Sequence, residues 1–233
     1  MKFLNQIQES IYYAPLIVSI KVSIIATLIN LPIATILAWL SVRRKVKYSF
    51  LIEIIGIIPL ALPPVTIGFL LLVGLGRNSL VGTLMNQIFG VDIIFTWWAT
   101  ALAAAVVSYP LVYKAISVGF SSIDFKLELA ARTLGANALS TFLNITVPLA
   151  YKGIFAGIVG GFVRALSEFG ATSVVGGNII GETQTLPIAI YSSVLSGDNT
   201  GAVILSSLSA ILAVVTLLIY NWMSKKIEYK NRF

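Results

Sequence analysis

The sequence contains no cysteine and no histidine. Without cysteine there is no disulfide, thiol nucleophile, thiolate-bound zinc or iron–sulfur cluster. Without histidine the commonest metal ligand and general base are both missing, so no nucleophile–base constellation for a membrane enzyme can be assembled. Charge is scarce too. Asp, Glu, Lys and Arg make up 11% of the 233 residues, less than half of the usual ~25%. Hydrophobic residues make up 58%, and a soluble globule could not cover its surface with so few charges. No GxxxxGK[ST] run occurs, so nucleotide phosphates are not cradled in the P-loop manner. These absences leave a polytopic membrane protein, expected as a single transmembrane domain over 1–233 with no ATPase or regulatory domain.

What is present is apolar sequence in long runs. A helix needs about 20 apolar residues to cross ~30 Å of hydrocarbon. Five stretches qualify, at roughly 15–40, 50–74, 95–118, 147–172 and 202–223. The first is followed by Arg43, Arg44, Lys45 and Lys47, which argues against a cleaved leader and anchors its C-terminal end inside. Alternation then places Lys114, Lys126, Arg132 and Lys152, and later Lys225, Lys226, Lys230 and Arg232, at the inner side. Twelve of sixteen Lys+Arg fall there, and only Lys2 and Arg77 fall outside. That split predicts N-terminus out and C-terminus in. The net charge of +7 therefore reads as topology, with a lipid bilayer rather than nucleic acid as the partner. Lys21 and Glu53 lie near span ends, where snorkelling accounts for them. Phe3, Leu4, Ile7, Ile11 and Tyr12 share a helical face, predicting an interfacial helix over 3–13.

Four local features stand out. Pro59, Pro63 and Pro64 interrupt the second stretch, which predicts either a packing kink or a helix lining a pathway. Gly153, Gly157 and Gly161 form a small-xxx-small face on the fourth, suited to close helix packing and to dimerisation. Arg164 and Glu168, at i and i+4 in the same stretch, predict an ion pair, either structural or at a gate or subunit interface. After it, Leu186–Leu195 is apolar but too short to cross. It reads as a re-entrant or surface helix capped by Thr185 and started near Pro187.

Between the third and fourth stretches, Asp124 is a good N-cap and Gly135 a good left-handed stop, bracketing a helix of about ten residues. Leu127, Ala130, Ala131 and Leu134 form its apolar stripe, with Lys126, Glu128 and Arg132 off it. A second short helix over 138–144 leads into Pro148. Such a two-part element either docks into a cleft or lies on the inner leaflet.

Ala130-Ala131, Gly135 and then Ile145-x-Val147-Pro148 resemble the EAA loop of ABC importer permeases. In that family the loop is a coupling helix inserted into a separate ATPase subunit. The family's Glu position falls on Leu129, with Glu128 one residue earlier, and its usual Leu-Pro reads Val147-Pro148. Leu62-Pro-Pro-Val-Thr-Ile-Gly-Phe-Leu-Leu-Leu72, Gly76-Arg-Asn78, Arg164-Ala-Leu-Ser-Glu-Phe-Gly-Ala-Thr172, Gly177-Asn178 and Thr183-Gln-Thr-Leu-Pro-Ile-Ala-Ile-Tyr191 resemble the molybdate permease subgroup. The resemblance covers about residues 10–225.

It implies an all-α bundle of about five transmembrane helices of the type I ABC importer (MetI-like) kind, with a cytoplasmic coupling helix. It implies a permease subunit in a bacterial or archaeal inner membrane that translocates an oxyanion, most of all molybdate, with tungstate or sulfate as alternatives. Its implied partners are a second copy of the chain, cytoplasmic ATPase subunits carrying ATP and Mg, and an extracytoplasmic oxyanion-binding protein; the chain itself carries no cofactor. Glu128, Leu129, Ala130, Ala131, Arg132 and Gly135 would couple to the ATPase, while Pro63, Pro64, Arg164, Glu168 and Thr172 are pathway or gate candidates. The competing class is an ion-coupled secondary transporter, which needs intramembrane carboxylates. Glu168 is the one deep carboxylate, and Arg164 is beside it.

Overall fold

Helices organise around one central span, α5 (Trp97–Ser121), whose wall is built from the smallest side chains. The computed structural model describes residues 2–43 and 47–230, and for residues 2–11, 89 and 223–230 the backbone alone. Expectations for Arg44, Lys45 and Arg232 therefore lie outside the described residues. So do those for the side chains of Lys2, Phe3, Leu4, Ile7, Ile11, Lys225, Lys226 and Lys230. Among the described residues the fold is entirely helical.

α1 (Lys2–Ala38) continues through a π-helical turn, Trp39–Arg43, and lies along α5. Ala101, Ala104 and Ala105 of α5 are buried against Val18, Val22 and Ala26 of α1. On its other side Ala99 and Ala103 meet Ile67 and Ala171. Asn30 of α1 donates to the Ala105 carbonyl at 2.9 Å and to Ser108 Oγ at 3.0 Å, a buried polar pin between the two helices. α9 (Tyr151–Leu166) closes the third side. A Cβ on Gly119 would stand 2.8 Å from the Gly153 Cα, and one on Gly157 3.2 Å from the Val112 carbonyl oxygen. The small-xxx-small face is thus used inside the chain, against α5.

Among the described residues, three helices are each long and apolar enough to cross a membrane: Tyr12–Arg43, Trp97–Ser121 and Asn199–Trp222. Two bent pairs raise the number to five if each counts as one span. Three sequence expectations are corrected here, and the proline interruption expected in the second stretch is found as a sharp bend. The second stretch is not one helix: α2 (Ser49–Ala61) and α3 (Pro64–Leu75) meet at 111°. Leu62 precedes a proline and is driven to extended backbone (φ −90°, ψ 141°), while Pro64 starts the new helix. The fourth is also broken. Ala138–Leu149 and Tyr151–Leu166 are bent by 70°, and α9 ends at Leu166, before α10 (Gly170–Gly176). Next, the separate interfacial helix over 3–13 is absent, because α1 runs on from Lys2 and Tyr12 and Leu16 already pack on the Leu186, Ala189 and Leu205 cluster. Finally, Thr185 precedes α11 (Leu186–Leu195) but makes no cap bond; Ser19 Oγ of α1 accepts from the Leu186 amide at 2.7 Å instead.

α4 (Leu80–Phe89) lies between α3 and α5, where Arg77 holds Asp92 at 2.8 Å and Asn86 adds a bond at 3.1 Å. α12 (Asn199–Lys230) packs mainly on α11, and only 6% of its apolar window is buried by this chain.

Candidate functional site

The segment following α5 forms as its caps dictate. Asp124 Oδ1 accepts from the Lys126 amide at 2.9 Å, starting α6 (Phe125–Thr133). At its end Gly135 takes φ +92°, its amide donates to the Arg132 carbonyl, and the Ala136 amide donates to the Ala131 carbonyl, both at 3.0 Å. That bond pair is a Schellman stop, which a left-handed glycine makes strain-free. Asn137 caps α7 (Ala138–Thr141) through the Ser140 amide at 2.8 Å. A second π-helical turn, Phe142–Thr146, and α8 (Val147–Leu149) then lead into α9.

This element presents apolar side chains away from the bundle. Leu127, Leu129, Leu134, Leu139 and Leu143 are all exposed, Leu134 at 89%. Ala130 is exposed and Ala131 half-buried between them, and Arg132 is exposed. Glu128 is the exception, as the one buried residue of α6. Its Oε1 accepts from Arg43 Nε at 2.8 Å and from Thr146 Oγ1 at 2.6 Å. Of the residues expected to couple to a partner, five thus lie at or next to the outer surface, while Glu128 is turned inward.

The pathway candidates converge elsewhere, where α3, α9 and α10 meet. Arg164 Nη1 bonds Glu168 Oε2 at 2.8 Å, and Glu168 Oε1 accepts from the Ala171 amide at 2.8 Å. Glu168 therefore lies past the end of α9, where it pairs backward with Arg164 and caps α10 forward. It is 2% exposed, and Arg164 is 28% exposed. Thr172 is fully buried and donates to the Glu168 and Phe169 carbonyls. Pro64 and Val65 at the start of α3 rest on Gly170, and Gly68 faces the Ala171 backbone so closely that a Cβ would lie 2.9 Å away. Pro63 is exposed beside them. Proline bend, helix break and ion pair form one contiguous junction.

Two grooves adjoin along α5 and α9, with Ala156 lining both. One, about 490 Å³, is lined by Lys114 and Lys152 over a floor of Ala115, Gly119 and Gly153. The other, about 370 Å³, is lined by Arg164, Ser167, Leu111 and Tyr220. Of the three cations along this apolar track, Lys114 pairs with Glu53 and Arg164 with Glu168. Among the described residues no group of three or more metal-ligating side chains assembles.

Sequence reasoning missed the Arg43 and Thr146 contacts to Glu128 and the placement of Lys114 and Lys152 at one groove. Arg43 reads there as one of a cluster of topological charges, and Glu128 lies 85 residues away. Lys21, expected to snorkel, sits with its Nζ 3.5 Å from the centroid of Trp97. Glu53 pairs with Lys114 at 3.0 Å.

Residues 30–229 match the family described as the binding-protein-dependent transport system inner membrane component. The chain is 44% identical over 213 residues to the molybdenum transport system permease protein ModB of Haemophilus influenzae, covering 91% of this chain and 93% of that one. It is 34% identical over 212 residues to the sulfate transport system permease protein CysW of Synechococcus elongatus, covering 86% and 73%. Among solved structures, a bacterial ABC transporter involved in the import of the acidic polysaccharide alginate matches with a TM-score of 0.75 at 17% identity, over 97% of this chain and 82% of that one. This last likeness concerns the fold alone.

Proposed function

This chain belongs to the family of binding-protein-dependent transport system inner membrane components, and on that premise we propose that it is the membrane-spanning permease subunit of an ATP-driven molybdate importer. The observation that carries the reading is the greater identity to a molybdenum permease (44%) than to a sulfate permease (34%). The exposed leucines of α6 to α8 support it, since they suit a docked partner. Two copies of the chain enclose the pathway. A separate ATPase, which holds ATP and Mg, docks on α6 and α7, and an oxyanion-binding protein docks at the opposite end of the bundle. The α6 end faces the cytoplasm, as the positive-inside bias requires. The whole of 1–233 acts as one transmembrane unit.

The chain's task is then a two-state equilibrium between inward-open and outward-open forms. Shifting such an equilibrium from 1:99 to 99:1 needs about 5.5 kcal/mol of differential interaction. A capped, rigid helix seated in a partner can deliver that, and a helix adsorbed on lipid cannot. Reconstitution with the ATPase and binding protein in proteoliposomes tests the reading. ATP-dependent uptake of labelled molybdate, competed by tungstate more strongly than by sulfate, is expected. Uptake that follows an ion gradient without ATP refutes it in favour of a secondary transporter, and preferential sulfate uptake corrects the substrate. An epitope at 126 should be reached only from the cytoplasm, and one at 80 only from outside.

A further inference from the structure

We propose that Glu128 is a positioning residue of the transport cycle: clasped by Arg43 and Thr146, it is the joint through which movement of α6 is passed to α1 and α9. This rests on the reading of α6 as the ATPase-docking helix.

The clasp joins three elements at one carboxylate oxygen. Arg43 is the last residue of the first π-helical turn, and Thr146 is the last residue of the second. The rings of the first residues of the same turns, Trp39 and Phe142, meet at a 50° tilt with 4.9 Å between centroids, and Phe120 of α5 is edge-on to Phe142 at 6.4 Å. The two widened turns thus lie against each other, touching at their aromatic starts and sharing Glu128 at their ends. Such turns are rare, frequent at functional sites, and shift helix register locally. Arg43 also donates to the Ile123 carbonyl at 3.0 Å, tying the end of α1 to the loop entering α6. On the far side the Thr146 carbonyl accepts from the amide of Ala150 at 3.0 Å, which ties Thr146 to the residue at the 70° bend where α9 begins.

Apolar anchoring of α6 itself is slight: Phe125 holds the Arg43 guanidinium 5.6 Å from its ring centroid, and the buried Ile123 lies before the helix starts. Phe125, Leu127 and Leu129 are each about half exposed, and Glu128 alone in α6 is buried. A helix seated on its partner by an exposed leucine face, and on its own bundle by one charge-assisted carboxylate, passes displacement through that carboxylate. Charge-assisted bonds are short and directional, so the joint resists both pull and rotation. Its loss separates docking from transmission, because the docking face is untouched.

The test uses the complete reconstituted importer with Glu128→Gln and Thr146→Val permeases. The second variant removes one hydroxyl, keeps the shape, and serves if the first folds poorly. Loss of one charge-assisted bond corresponds to about a tenfold change in the coupled equilibrium. We expect the ATPase to copurify at wild-type stoichiometry while ATP hydrolysed per molybdate rises about tenfold. Since the chain lacks cysteine, spin labels at exposed Lys126, off the leucine face, and at exposed Ile36 report on the joint directly. Their separation should stay constant through the wild-type ATPase cycle and vary in the variants. If the wild-type complex transports and both variants keep its coupling ratio, the joint is refuted. If the variants release the ATPase, Glu128 serves docking and the joint is refuted as well. Failure of the wild-type complex to transport molybdate would instead strike the functional reading itself.

Discussion

Arg164 and Glu168 look symmetric in sequence, yet their surroundings predict unequal costs. Arg164→Gln leaves a carboxylate that is 2% exposed with the Ala171 amide and no cation beside it among the described residues. Removing one partner of a buried pair costs about 3–5 kcal/mol. Glu168→Gln is milder, because the Gln oxygen can still accept from the Ala171 amide and Arg164, 28% exposed, can be hydrated from its groove. Losing one charge-assisted bond with partial rehydration costs about 1–2 kcal/mol. The double change to Gln should resemble Glu168→Gln alone, so the cycle yields a coupling energy of about 3–5 kcal/mol, the whole cost of Arg164→Gln. Thermal unfolding of the purified permease in detergent, followed by size-exclusion of the folded fraction, reads all four proteins. Equal destabilisation by the two single changes, or simple addition in the double, would refute the reasoning from burial. Uptake then separates roles. A structural pair predicts that the double variant transports in proportion to its folded amount, and a gating pair predicts a folded variant that stays impaired.

Gly135→Val forces a β-branched residue into φ +92° at a cost of about 1–2 kcal/mol; ATPase copurification should fall while membrane insertion is unchanged, and a retained complex counts against α6 as the docking helix. Ser19→Ala strands the buried Leu186 amide, costing about 1–3 kcal/mol, which a lowered Tm should register. Asp92 lies below its ordinary value of 3.8, first because Arg77 donates to it. Its clamp on the α3–α5 connection is therefore complete above that value and lost as pH falls through the depressed one. Amide protection over residues 76–92, taken relative to the intrinsic exchange rate at each pH, should be flat between pH 5 and 7 and lower in Asp92→Asn at the same pH values.

Much of the frame is legible in sequence because it follows from local rules. Hydropathy marks α1, α5 and α12, and the Asp124 and Gly135 caps bracket α6 to within a residue or two. Proline chemistry at Leu62-Pro63 signals a break, although the 111° turn depends on how α3 meets α10. Other features are set by residues far apart. Thr185 has the right type and place for a cap, yet Ser19 takes the amide from 167 residues away. Nor could apolarity say which faces are buried, since lipid tails are as apolar as a protein core. The glycine face of α9 suits a second chain as well as it suits α5. Glu128 stands among leucines in sequence, and its inward direction needs Arg43 and Thr146 to be seen.

The alanine wall of α5 bears on how costly motion within the bundle is. Alanine and glycine have no side-chain rotamers to reset, so packing against them forfeits no torsional freedom. The Asn30 pin fixes α5 against α1, but where Gly119 faces Gly153, α5 and α9 meet across nearly smooth surfaces rather than interlocked side chains. Such contacts act as bearings: sliding keeps van der Waals contact throughout and needs no concerted repacking. The same smoothness leaves no slack for growth, so an added methyl at Gly119 or Gly153 would seize the bearing.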